Sequence, residues 1–175
     1  MTGWSYLVYE PCETDLVSQV KEAVGGAVNE TRQYTGYGDT EIFYIGGYNL
    51  QFERGETGGK EVSVDDVLAN IVESHTDYET AVIVSANDTT DTAEATIYRG
   101  GEEVGYVFEE HIPEAPIPVF GMIQAYLQRE YGMVVPVENA LYIEEHHEEF
   151  EHLSPINEEK VTDWLETNSN VLVTN

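Results

Sequence analysis

Three β-prone runs, Thr80–Ala86, Glu94–Arg99 and Glu103–Glu109, follow one another with only Asn87–Thr92 and Gly100-Gly101 between them. Links this short cannot carry a parallel crossover, which takes about a dozen residues or more, so the runs must fold back as an antiparallel meander. A similar pattern lies upstream. Glu41–Ile45 and Tyr48–Glu53 flank Gly46-Gly47, and a two-residue Gly-Gly link between β-prone runs signals a hairpin. Ser5–Tyr9 and Val171–Val173 supply further strands. Gln33–Asp39, with Gly36 and Gly38, reads as a loop, and Gly55–Lys60 as a turn.

The helices come from a different period. Leu16, Val20, Ala23 and Ala27 make an apolar stripe at helical spacing, weakened near its end by Gly25-Gly26. Ser63-Val-Asp-Asp66 resembles a capping box with Asp in place of Glu, ahead of Val67, Leu68, Ile71 and Val72. Pro118 suits a helix start, Val119, Phe120, Ile123, Tyr126 and Leu127 supply a buried face, and Gly132 ends it. Met133–Ile143 is β-prone but broken by Pro136, and Glu144–His152 reads as an acidic helix. Asn157 caps a last helix with Val161, Trp164 and Leu165 inward.

The strands cluster in hairpins and not in repeated βαβ units. The expected fold is therefore α+β: a mixed, mainly antiparallel sheet built from hairpins, with helices packed mostly on one face. A single domain over 1–175 is expected. The proline-rich connector 111–118, with Pro113, Pro116 and Pro118, is the one place it could divide.

Charge bounds what such a fold can do. The chain carries 34 Asp+Glu against 7 Lys+Arg, a formal charge of -27, and the acids outnumber the bases in every stretch of the sequence. A compact body charged this way repels itself in dilute buffer. The Debye length falls from about 10 Å at 0.1 M salt to about 3 Å at 1 M, so molar salt silences most of the repulsion. The lysines are only Lys21, Lys60 and Lys160, and valine outnumbers leucine; the composition resembles that of haloarchaeal, salt-adapted cytosolic proteins. Monovalent salt, KCl or NaCl, is thus the only cofactor expected, and it serves stability. Direct nucleic-acid binding needs a basic footprint that seven bases do not provide. A nucleic-acid mimic needs its acids in rows on one face, and here they are spread throughout. No apolar stretch approaches the roughly 18 residues of a membrane span. Without a basic, apolar leader at Met1–Glu10, and with one cysteine, the cytosol is the expected location, a virion being compatible too.

Several residues could carry chemistry. His146-His-Glu-Glu-Phe-Glu-His152 offers His146, His147 and His152 among carboxylates, a donor set that suits Zn, Fe or Ni. The spacing is poor for one helical face, and the segment reads first as a solvated acidic helix. Cys12 lies between a strand and a helix, where thiolates can be stabilised, but Glu10, Glu13 and Asp15 raise its pKa. Gly55-Glu-Thr-Gly-Gly-Lys60 fails as a phosphate loop because Glu61 follows the lysine. Asp88, Asp91 and Glu94 lack calcium-loop spacing. Twelve tyrosines are the other surplus. Tyr34, Tyr37, Tyr44 and Tyr48, around the first hairpin, could form a binding surface, although tyrosine also fills half-buried strand faces.

The expected function is a non-catalytic protein-interaction or assembly module, an accessory or viral component among the candidates. The partner would be another protein or a second copy, docked through Glu41–Glu53 or the Tyr-rich loop before it. The alternative is a small metal-dependent or thiol enzyme using the His146–His152 cluster or Cys12.

Overall fold

The computed structural model describes residues 3–10, 15–24, 30–48, 51–53, 61–87, 89–138 and 140–174. The first half runs β1 (Gly3–Tyr9), α1 (Leu16–Val24), β2 (Glu30–Thr35), β3 (Glu41–Tyr48), β4 (Gln51–Glu53), β5 (Glu61–Ser63) and α2 (Val64–Glu73). It continues with β6 (Ala81–Asn87), β7 (Thr92–Arg99), β8 (Glu102–Glu110) and α3 (Gly121–Tyr131). Then come α4 (Ala140–His146), a 3₁₀ helix over His147–His152, α5 (Glu158–Thr167), a 3₁₀ turn over Ser169–Val171, and β9 (Leu172–Thr174).

The main sheet has seven strands in the order β2-β3-β1-β6-β7-β8-β9, and every pairing is antiparallel. The meander β6-β7-β8 forms where the short links require it, and Gly100 and Gly101 turn its second corner with φ of 56° and 86°. Such paired positive φ values are what a two-residue hairpin turn needs. The first four strands interleave differently. β1 and β2 are joined through α1 with β3 lying between them; β3 and β6 are joined through α2 with β1 between them. These are two split β-α-β units, as in ferredoxin-like sheets.

Three local expectations are corrected. Gly46-Gly47 is not a turn: both glycines lie inside β3, where Gly46 pairs with Trp4 on one side and Glu30 on the other. The hairpin is one element earlier, because Glu30–Thr35 is a strand and only residues 36–40 turn. The Glu41–Glu53 stretch therefore splits between an inner strand and a small β4–β5 ribbon, and the sheet edge on this side is β2. Met133–Glu138 is extended but joins no strand, and the acidic helix of Glu144–His152 is instead the end of α4 plus a 3₁₀ segment.

Helices cover both faces of the sheet, not mostly one. On one face Leu7, Phe43, Ile45 and Ile83 pack against Leu16, Val17 and Val20 of α1 and Val64, Val67 and Leu68 of α2. On the other, Trp4, Tyr6, Ile42, Tyr44, Val84 and Val107 meet Phe120, Ile123 and Leu127 of α3, with Val135, Val137 and Phe150 closing over them. That second cluster draws residues from before and after the 111–118 connector. α5 adds an outer layer on α3 through Met122, Ala125, Val161 and Leu165.

The helix ends explain their own positions. Asn157 caps α5, its side-chain oxygen accepting from Glu159 N at 2.9 Å and Lys160 N at 3.4 Å. α3 ends at Gly132, with Gly132 N donating to Gln128 O and Met133 N to Leu127 O. Its start is unusual. The capping residue is Phe120, at φ 55° and with no side-chain bond to offer. Glu109 of β8, on the sheet face that α3 covers, does the work, its Oε1 accepting from Ile123 N at 2.8 Å.

Candidate functional site

The histidine segment and the first tyrosines, separate in sequence, meet in space. A 3₁₀ helix repeats every three residues, so His147 and Phe150 share one face and point together at the sheet. His147 is buried, shares a short hydrogen bond between its Nδ1 and the Tyr34 hydroxyl, and stacks on Tyr44 with centroids 5.4 Å apart at 21°. Phe150 sets its ring edge-on against Tyr6 at 5.1 Å and Tyr34 at 5.4 Å. Gly46 makes room: a Cβ there would run into the Tyr44 ring and hydroxyl, so tyrosine can lie over this strand only if glycine follows it on the same face.

The three histidines part company. His146 is half-exposed, stacked on Tyr142 at 4.2 Å and 15°, with Nδ1 3.0 Å from the Tyr142 carbonyl oxygen; His152 is exposed. Among the described residues no group of three histidine, cysteine or acidic side chains is placed to hold a metal. Cys12, Asp88 and the Gly55–Lys60 turn lie outside the described residues, as does the side chain of Tyr48.

Beneath the histidine segment opens a cleft of about 450 Å³, walled by Gln124, Pro136, Glu138, Tyr142 and Phe150 among others. Gln124 Nε2 donates to Val137 O at 2.8 Å and so pins the extended segment to α3. Burial pushes the Glu138 carboxyl up to about 7. Glu109, deeper still and only 1% exposed, is pushed up to about 8, again mainly by burial, with its backbone bonds opposing and Glu138 adding. Two carboxyls of one face thus change charge near neutral pH, the kind of perturbation that marks a candidate site.

A second cleft, of about 650 Å³, lies at the opposite end of β1 and is lined by Glu10, Tyr37, Asp39, Asp77, Glu79 and Met133 among others. Tyr37 is 48% exposed and rides on the tight β2–β3 turn, which Gly36 N to Thr40 O and Thr40 Oγ1 to Tyr37 O, both 2.8 Å, hold in place. Glu10 is raised above the usual carboxylate range, first by burial and then by a hydrogen bond to Glu79.

The helix-covered face of α1 and α2 carries a polar row as well. Ser5 Oγ donates to Asp65 at 2.7 Å, and Tyr106 donates to Glu94 at 2.6 Å. Ser85 bonds both acids. Asp65, between Ser63 and Asp66 of the expected capping box, turns inward to Ser5.

Of the tyrosines expected to bind, the structure separates Tyr37, which is open to solvent, from Tyr34 and Tyr44, which are packed around His147. Glu109 and Glu138 were missed among so many acids. The signal for Glu109 was strand alternation: it shares a face with Val107, whose side chain is fully buried. Comparison with protein-family models, with curated proteins and with solved structures finds no match for this chain.

Proposed function

We propose that this chain is a non-catalytic, salt-adapted interaction module whose protein partner presents a basic side chain to the Tyr37 cleft. The observation that carries the reading is the Glu10–Glu79 carboxyl pair beneath an exposed tyrosine. Two carboxyls that face the same cleft offer a place for a cation. A guanidinium or ammonium pairs with both carboxyls and lies against the Tyr37 ring, a contact favoured electrostatically. Asp39 and Asp77 extend the negative rim. At -27 the body attracts cationic groups at long range in dilute solution, and in molar salt only the contacts of the cleft itself persist.

Titration with an arginine-containing glycine peptide, followed by backbone amide NMR in about 2 M KCl, tests this. Saturable shifts confined to residues 36–40 and 77–80, lost in Tyr37→Ala, support it. No saturable shift, or the same shifts in Tyr37→Ala, rejects it. The salt-adapted part has its own test: the melting midpoint should rise steeply between about 0.1 M and 2 M salt, and a midpoint that does not move removes it. A second copy is the other partner considered, and the β2 edge, on which Arg32 and Gln33 are exposed, is its natural contact. Light scattering in molar salt distinguishes the two partners.

A further inference from the structure

The opposite end of β1 holds two polar atoms that the fold leaves unmatched. Among the described residues, the Trp4 indole Nε1 and the Tyr6 hydroxyl have no hydrogen-bond partner, although Trp4 is 1% exposed and Tyr6 is 0% exposed. Burying such a group without a partner is unfavourable, and most buried polar atoms in folded proteins find one. Their two rings pack together, with centroids 4.5 Å apart. The sheet gives the indole its space: Trp4 is flanked by Gly46 and Ala86, with Ala93 next in the row.

Tyr6 lies behind the wall of the cleft beneath the histidine segment, and Trp4 packs against Tyr6. Phe150 belongs to that wall and also packs edge-on against Tyr6 at 5.1 Å. Glu138 belongs to it too, and after burial and Tyr44 its charge acts on the Tyr6 phenol. The chemistry of the missing partner follows. An indole N–H only donates, so the partner must accept. An anion is disfavoured in a body of charge -27. A neutral carbonyl oxygen remains. Glu138 can accept from an N–H next to that carbonyl, and the surrounding rings of Tyr6, Tyr44 and Phe150 suit a flat body.

We propose that this cleft binds a small, neutral, planar cyclic amide, its carbonyl oxygen accepting from Trp4 Nε1 and the Tyr6 hydroxyl and its N–H facing Glu138, with Phe150 swinging aside to admit it. The proposal is independent of the Tyr37 cleft, which lies at the other end of the strand.

Uracil is the probe, and the Trp4 indole N–H resonance is the readout, assigned against Trp164→Phe. In the full chain under molar salt, uracil should move that resonance downfield saturably. N,N′-dimethyluracil, which lacks the N–H donors, should bind about tenfold more weakly, and benzoate should not bind; a tenfold ratio corresponds to about 1.4 kcal/mol. Tyr6→Phe, which keeps the ring, should lower uracil affinity by a similar factor. Phe150→Ala should speed association. An indole resonance that stays fixed under uracil overturns the proposal. So does equal binding of uracil and its dimethyl form, or an electron-density map with ordered water alone on both donors in crystals soaked with uracil.

Discussion

The two faces of the sheet meet the same requirement, burial, with different materials. The face under α1 and α2 is aliphatic: Leu7, Ile45, Ile83, Val20 and Leu68 are almost wholly removed from water, and its polar row of Ser5, Asp65, Ser85 and Glu94 is hydrogen-bonded. The face under α3 and the histidine segment is aromatic. It buries Trp4, Tyr6, Tyr44, His147 and Phe150, a carboxyl at Glu109, and two donors without partners. Stability alone does not call for that second composition, because each unmatched polar group lowers it. The aliphatic face buries one raised acid, Asp65, whose bonds to Ser5 and Ser85 oppose the shift; the aromatic face buries the more strongly raised Glu109 and Glu138.

Truncation separates the faces most sharply. Leu68→Ala removes a fully buried side chain between α2 and the sheet and should cost about 2–5 kcal/mol. Tyr6→Phe, equally buried on the other face, should be neutral or stabilising by about 1 kcal/mol, since it deletes an unpaired hydroxyl. Denaturant unfolding in molar salt compares them, and a large loss from Tyr6→Phe would mean that the hydroxyl has a partner after all. A smaller effect is expected at Gly46. Gly46→Ala places a Cβ against the Tyr44 ring and hydroxyl and should cost about 1–3 kcal/mol by overpacking. Because the hydroxyl makes the nearest contact, Tyr44→Phe should recover part of that loss in a double-mutant cycle, and strict additivity would show that the two do not touch. Smallest is Tyr34→Phe, which removes the hydrogen bond to His147 and should cost about 1 kcal/mol while loosening His147–His152 in hydrogen exchange.

What the sequence made legible was local. The meander followed from short links, the α5 cap from Asn157, and the α3 stop from Gly132, because each depends on neighbours within a few residues. The pair Gly-Gly shows where that logic ends. Gly100-Gly101 turns a hairpin, while Gly46-Gly47 runs straight through an inner strand, and nothing within the dipeptides distinguishes them. The difference comes from β1 and β2 claiming both edges of β3, and from Tyr44 needing a residue without a Cβ beside it. The candidate site was legible in its parts. Tyr34, Tyr44 and His147 could each be singled out, but their meeting depends on a docking across more than a hundred residues. Glu109 was hidden by composition: in a chain with 34 acids, one that points inward does not stand out by charge.

The contrast between the faces is tested most directly by unfolding free energy against pH, from about 5 to 8.5, in molar salt, where long-range repulsion is screened. Burial raises Glu109 from its ordinary 4.5 to about 8 and Glu138 to about 7 in the folded chain. The folded state therefore keeps protons that the unfolded state has released. The stability this gives is complete below about pH 4.5 and is lost as pH rises through these values. Wild type should lose stability across the range, and Glu109→Gln, which keeps the acceptor for Ile123 N, should remove most of the slope, with Glu138→Gln removing most of the rest. An unchanged slope in the Glu109→Gln, Glu138→Gln double variant would contradict the assignment of the titrating groups to the aromatic face.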